Sequence, residues 1–104
     1  MSYNLFLDDV RNPKECRYYP GDESEYDIGQ WVTVRSFDDF KNALETKGIP
    51  KLISFDYDLS SNKDGLDCAT FLYDFCKEHN VEVPQYLVHS AWPGIKSKFY
   101  EILN

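Results

Sequence analysis

The chain has 104 residues, 42% of them hydrophobic and 16% aromatic, enough for one compact domain with a single core and too few for two. Its formal net charge of -7 argues against non-specific binding to duplex DNA or an anionic membrane, both of which need a basic face. It leaves room for a small phosphorylated ligand held by a metal and a few local cations.

Residues 3–8, YNLFLD, predict a short strand. The apolar run from Leu5 to Leu7 stops at Asp8, so no leader or spanning segment is expected. Residues 9–30 carry Pro13, Pro20, Gly21, Gly29 and many polar groups, and read as a long loop with space for one helical turn. Loops of this length are often functional. Tyr18, Tyr19 and Tyr26 offer a contact surface there, so a protein partner could dock through 12–30. Residues 31–35, WVTVR, are β-branched and aromatic and predict a second strand.

Ser36 then caps a helix, with Asp38 and Asp39 near its positive end, Phe37, Phe40, Ala43 and Leu44 at helical spacing, and Gly48 with Pro50 ending it. Residues 51–57 form the third strand, and 58–65, DLSSNKDG, a turn-rich loop. Asp64 or Gly65 opens a helix over 66–79, with Leu66, Ala69, Leu72, Tyr73 and Cys76 on one face and Asp67 in its first turn. Residues 85–90, QYLVHS, are a fourth strand, and GIKSKFYEIL a last helix opened by Trp92-Pro93-Gly94, with Pro93 at an early helical position.

Strands alternating with helices imply a mostly parallel sheet covered on both faces, a single three-layer α/β domain over 1–104. Right-handed crossovers favour the order 2-1-3-4, a trimmed flavodoxin-like sheet. The three cysteines lack CxxC spacing and leave an odd thiol, so reduced thiols in a cytoplasmic setting are expected. Cys68 and Cys76 read as small buried hydrophobes, and Cys16 lies in the polar loop.

Ligands of such sheets sit beyond the carboxyl ends of the strands, where the order reverses. Strand one ends in Asp8-Asp9, followed by Arg11; strand three ends in Asp56 and Asp58; strand four ends in His89-Ser90. Parallel strands would bring all of these to one rim. Alternation puts Asp56 and Asp58 on one side with Tyr57 facing away, and makes Asp8 and Asp9 diverge. Clustered carboxylates need a counter-ion, and Mg²⁺ or another hard divalent cation fits Asp8, Asp9 and Asp56. His89 suits general acid–base work, with a satisfied core histidine as the plainer reading. Asp58 is either catalytic or a loop carboxylate. Ser90 binds a phosphate oxygen or caps the turn. Trp92 is a neighbour of a helix N-terminus that could receive phosphate, or a core plug. His79 ends the second helix, where a cation complements the dipole.

The acidic pair at strand one, the aspartate at strand three and the later Asp64-Gly65 resemble a receiver domain of response regulators. A divergent branch is closer, the cyclic-phosphate-processing receiver-like domains. LFLDDVRNP resembles their Leu-Asp-Asp-x-Arg-x-Pro opening, ISFDYDL their Ser-x-Asp-x-Asp-Leu strand, and VHSAWPG their His-Ser segment before Pro and Gly. Two positions depart: Tyr57 stands where the family often has His, and Trp92 where it often has Asn. The resemblance implies work on a nucleotide or RNA terminus bearing a cyclic phosphate. The first expectation is therefore a metal-dependent phosphoesterase, with His89, Asp56 and Asp58 catalytic and Arg11 and Ser90 on the substrate. The alternatives are a switch phosphorylated at Asp56, although the fifth strand and lysine of ordinary receivers are missing, and a catalytically silent binding module or small phage or bacterial inhibitor.

Overall fold

The computed structural model describes residues 3–13, 30–90 and 92–104. Cys16, Tyr18, Tyr19 and Tyr26, and with them the expected docking loop, lie outside the described residues. The elements are β1 (Asn4–Leu7), β2 (Trp31–Val34), α1 (Phe37–Lys47), β3 (Leu52–Phe55), α2 (Gly65–Glu78), β4 (Gln85–Val88) and α3 (Ile95–Leu103). The strands form one sheet in the order β2-β1-β3-β4, every pair parallel. This is the flavodoxin-like α/β arrangement expected from the alternation of strands and helices.

Leu5, Leu7, Val34, Ile53, Phe55 and Val88 share one face of the sheet and pack under Phe40, Leu44, Leu72 and Phe99 from the helices. Phe55 and Phe99 lie 5.0 Å apart, centroid to centroid. Burying each such side chain contributes about 1.5–3 kcal/mol. Among the described residues all three helices cover this face. The opposite face carries Phe6, with Trp31 and Leu87 against it, and the functional residues described below. Among the described residues no helix is long and apolar enough to cross a membrane.

Local chemistry sets the helix ends. Ser36 Oγ accepts the Asp39 N–H at 3.2 Å, and Gly48, at φ 86, closes α1 by donating to Leu44 O at 3.0 Å. Asp64 and Asp67 exchange side-chain and backbone hydrogen bonds in a capping box that starts α2. The buried face of α2 is Gly65, Cys68, Ala69, Leu72 and Cys76. Tyr73 is not part of it, because one residue past Leu72 is a 100° turn away from the core, and its side chain is exposed. Burial also pushes the Cys68 thiol up, away from reactivity. Pro93 precedes α3 rather than starting it: Gly94 sits in the left-handed region at φ 74, and the helix begins at Ile95.

Gly65 brings the start of α2 against the end of β3. Its N–H donates to Tyr57 O at 2.7 Å, and a Cβ there would collide with the Asp56 carbonyl. Gly65→Ala is expected to destabilise the fold by about 2–3 kcal/mol, since α2 must back away from the end of β3. Urea unfolding measures this; a midpoint equal to that of the parent protein would refute it.

Candidate functional site

Asp8, Asp56 and His89 each follow directly on a strand and extend the ladder by one rung. Asp8 donates its N–H to Val34 O at 3.1 Å, Asp56 to Leu7 O at 3.0 Å, and His89 to Phe55 O at 2.9 Å. Leu7, Phe55 and Val88 are in register. The next side chains therefore leave the sheet on the same face. One ligand atom from each of Asp8, Asp56 and His89 lies within 4.8 Å of the others, and all three residues are buried.

Asp8 is the hub. Its Oδ1 accepts the N–H groups of Val10 at 2.9 Å and Arg11 at 2.8 Å, and its Oδ2 accepts from Arg11 Nε at 2.8 Å and faces His89 Nε2 at 3.0 Å. Burial alone pushes this carboxyl up. The His89 contact, the two backbone donors and the Arg11 charge outweigh that and hold Asp8 well below the usual carboxylate range.

Asp56 is treated differently. Its Oδ1 accepts the Tyr57 N–H at 2.9 Å and faces Arg11 Nη2 at 3.6 Å. No donor among the described residues reaches Oδ2. Burial, reinforced by the charge of Asp8, pushes the Asp56 carboxyl up to about 6 against the pull of Arg11. Two adjacent carboxyls are thus driven apart, one firmly ionised and one able to take a proton near neutrality.

His89 lies between Asp8 and Ser54, whose Oγ is 2.6 Å from Nδ1, and its ring stacks on Phe6 at 4.6 Å. With Nε2–H donated to Asp8, a neutral ring accepts the Ser54 hydroxyl proton at Nδ1. The side chain is fully buried. Among the described residues, Asp8 and Ser54 are the groups hydrogen-bonded to its two ring nitrogens.

The other residues singled out in the sequence are dispersed around this centre. Asp9 is half-buried and its Oδ2 accepts from Ser60 Oγ at 2.6 Å; its charge is also felt at Asp56. Asp58 is exposed and accepts the Ser60 N–H at 2.9 Å, the geometry of a loop carboxylate. Ser60 joins the two from a left-handed conformation at φ 55. Ser90 Oγ accepts the Trp92 N–H at 3.4 Å. Trp92 is 57% exposed, so it plugs no core. His79 caps α2, with Nδ1 2.8 Å from Phe75 O. A cleft lined by Leu52, Pro84, Gln85 and Leu87 opens at the amino ends of β3 and β4, away from the acidic rim.

Three contributors were given no role in the sequence reading, although Ser54 is the serine of the ISFDYDL motif. Ser54 and Phe6 line the floor, each two residues before an aspartate and so on the same face. That spacing was the available signal. Arg35 follows β2 and donates to Asp8 O at 3.2 Å, Arg11 O at 2.6 Å and Asn12 Oδ1 at 2.8 Å, which pins the turn that carries Arg11. Nothing local in WVTVRS marks that role.

A parallel sheet with this acidic cluster at its carboxyl edge defines a receiver-like α/β domain. Within that class the chain belongs to the cyclic-phosphate processing receiver domain family, whose sequence model matches residues 3–104. No curated protein matches it. Among solved structures it is similar to one described as yeast Spc42 trimeric coiled-coil amino acids 181–211 fused to another structure, with 15% identity and a TM-score of 0.59 over 98% of this chain. The chain spans 63% of that structure's length, and the likeness concerns the fold alone.

Proposed function

We propose that this domain opens a cyclic phosphate on a nucleotide or RNA terminus with the help of a hard divalent cation. The observation that carries the reading is the pairing of an ionised Asp8 with Asp56, whose Oδ2 meets no donor among the described residues, beside Arg11. Asp8 and Asp56, with Asp9 at the rim, are the oxygen donors such an ion prefers, and His89, already engaged with Asp8, is not needed as a ligand. When bound, Mg²⁺ would polarise the phosphoryl group and lower the cost of an attacking water.

The chain's own residues supply the rest. Arg11 offers a planar fork to the non-bridging oxygens of the phosphate. Asp56, as one of the residues that would hold the ion, would accept a hydrogen bond from the attacking water and orient it toward phosphorus. His89 steadies Asp8 Oδ2 by donating Nε2–H to it, which fixes the tautomer, and Ser54 Oγ meets the ring at Nδ1; the departing ring oxygen would take its proton from solvent. The same Oδ2, which no described residue donates to, favours a second reading, in which Asp56 attacks phosphorus and becomes an aspartyl phosphate.

Phosphorus NMR separates the two. With Mg²⁺ and a 2′,3′-cyclic nucleotide, ring opening to a monoester is expected, lost in Asp56→Asn and reduced about 10²-fold or more in His89→Ala. An unchanged cyclic resonance with the folded protein would refute the phosphoesterase. A lasting acyl phosphate after treatment with acetyl phosphate would put the switch in its place.

A further inference from the structure

Two aromatic side chains at the acidic rim, Tyr57 and Trp92, touch each other. Tyr57 and Trp92 form a T-shaped pair with ring centroids 5.4 Å apart and planes at 70°. Tyr57 is anchored at the site, because its backbone N–H donates to Asp56 Oδ1 at 2.9 Å. Trp92 is tied to the same rim through its N–H to Ser90 Oγ, one residue beyond His89. An edge-to-face contact covers at most one face of the indole, and the side chain stays 57% exposed. Val10, between Asp9 and Arg11, is 73% exposed. Two of the five large apolar side chains left exposed among the described residues therefore flank the acidic cluster. Exposed apolar groups concentrated beside a polar site mark a binding surface more than a packing need.

We infer that Trp92, held upright by Tyr57, is a stacking ledge for the nucleobase of the substrate, so that the site selects nucleoside cyclic phosphates over cyclic phosphates on a bare sugar. This rests on the reading of the site given above. An indole can stack on any base, because every base has a π-face, so the ledge gives preference for a base without preference among bases. The phosphate end is held by Arg11 and the acidic cluster, and Tyr57, against which Trp92 rests, directly follows Asp56. The two contacts therefore address opposite ends of one small ligand.

The test compares two probes by isothermal titration calorimetry, a readout that does not depend on Trp92: adenosine 2′,3′-cyclic phosphate and methyl riboside 2,3-cyclic phosphate, which lacks a base. The nucleotide is expected to bind the parent protein about tenfold more tightly than the abasic ring. Trp92→Ala, its fold checked by circular dichroism, should erase that preference and leave abasic binding unchanged, while Trp92→Phe keeps most of it. Equal affinities in the parent protein, or loss of both probes alike in Trp92→Ala, would overturn the ledge while leaving the site's own reading intact. Failure of the folded parent protein to bind either probe would instead remove the reading of the site, and the ledge with it.

Discussion

Asp56→Asn is expected to make the metal-free protein more stable at neutral pH and, at the same time, to abolish its hold on a divalent ion. The carboxyl is 6% exposed and sits beside an ionised Asp8, so its ionised form is costly in the fold. Its pKa rises from 3.8 to about 6, which corresponds to roughly 2–3 kcal/mol. An amide of the same shape removes that cost and still accepts the Tyr57 N–H. That figure already includes the pull of Arg11 at 3.6 Å, and discounted for solvent screening it leaves about 1–2 kcal/mol. The ion would be weakened by more than the roughly 10–100-fold that losing an outer partner of a ligand costs.

The pH dependence gives this prediction its sign. Because the folded pKa of Asp56 is raised, its stabilising contribution is complete below about pH 4 and is lost as the pH climbs through about 6. Asp8 works the other way. Its folded pKa is depressed, so its contribution is present above about pH 4 and is lost as the pH falls through the folded value. The advantage of Asp56→Asn should therefore be absent near pH 4 and full at pH 7 to 8. Chemical denaturation in chelator across that range, with isothermal titration of Mn²⁺ at its upper end, measures both halves. A variant less stable than the parent protein at pH 8, or one that still binds the ion, would contradict the account of Asp56.

The rung that carries Asp8, Asp56 and His89 was legible because parallel strands of equal length end together. Each strand could be recognised from its β-branched and aromatic residues, and the residue after each one is polar. Alternation failed one step later. The last ladder bond of β3 is Asp56 N–H to Leu7 O, after which the Tyr57 N–H turns back to Asp56 Oδ1 and Tyr57 O accepts from Gly65. A strand read as running to 57 keeps Asp58 beside Asp56; a strand ending at Phe55 lets the turn carry Asp58 outward to Ser60. The same limit hid the start of α3, since only the left-handed Gly94 shows that Pro93 belongs to a turn. Arg35 was hidden for another reason. Its role depends on three acceptors more than twenty residues away, which no local pattern encodes.

Arg11→Ala is the complementary experiment, and its expected result is a protein less stable without metal but more responsive to it. The guanidinium reaches both carboxylates, at 2.8 Å from Asp8 Oδ2 and 3.6 Å from Asp56 Oδ1, and so does the work of a counter-ion. Its removal leaves Asp8 with His89 and two backbone donors, but takes from Asp56 the charge that opposes the rise of its pKa. A loss of about 2 kcal/mol at neutral pH follows, below the 3–5 kcal/mol of a fully buried pair because the arginine is 25% exposed. A divalent cation entering between the carboxylates competes with that guanidinium in the parent protein and meets no competitor in the variant. Saturating Mg²⁺ should then raise the melting temperature more in Arg11→Ala than in the parent protein, with Arg11→Lys in between because it restores the charge without the fork. Equal shifts in all three proteins would mean that arginine and ion occupy separate places. A larger shift in the variant would mean that the ion takes over the counter-ion's role and releases Arg11 toward the oxygens of a phosphate.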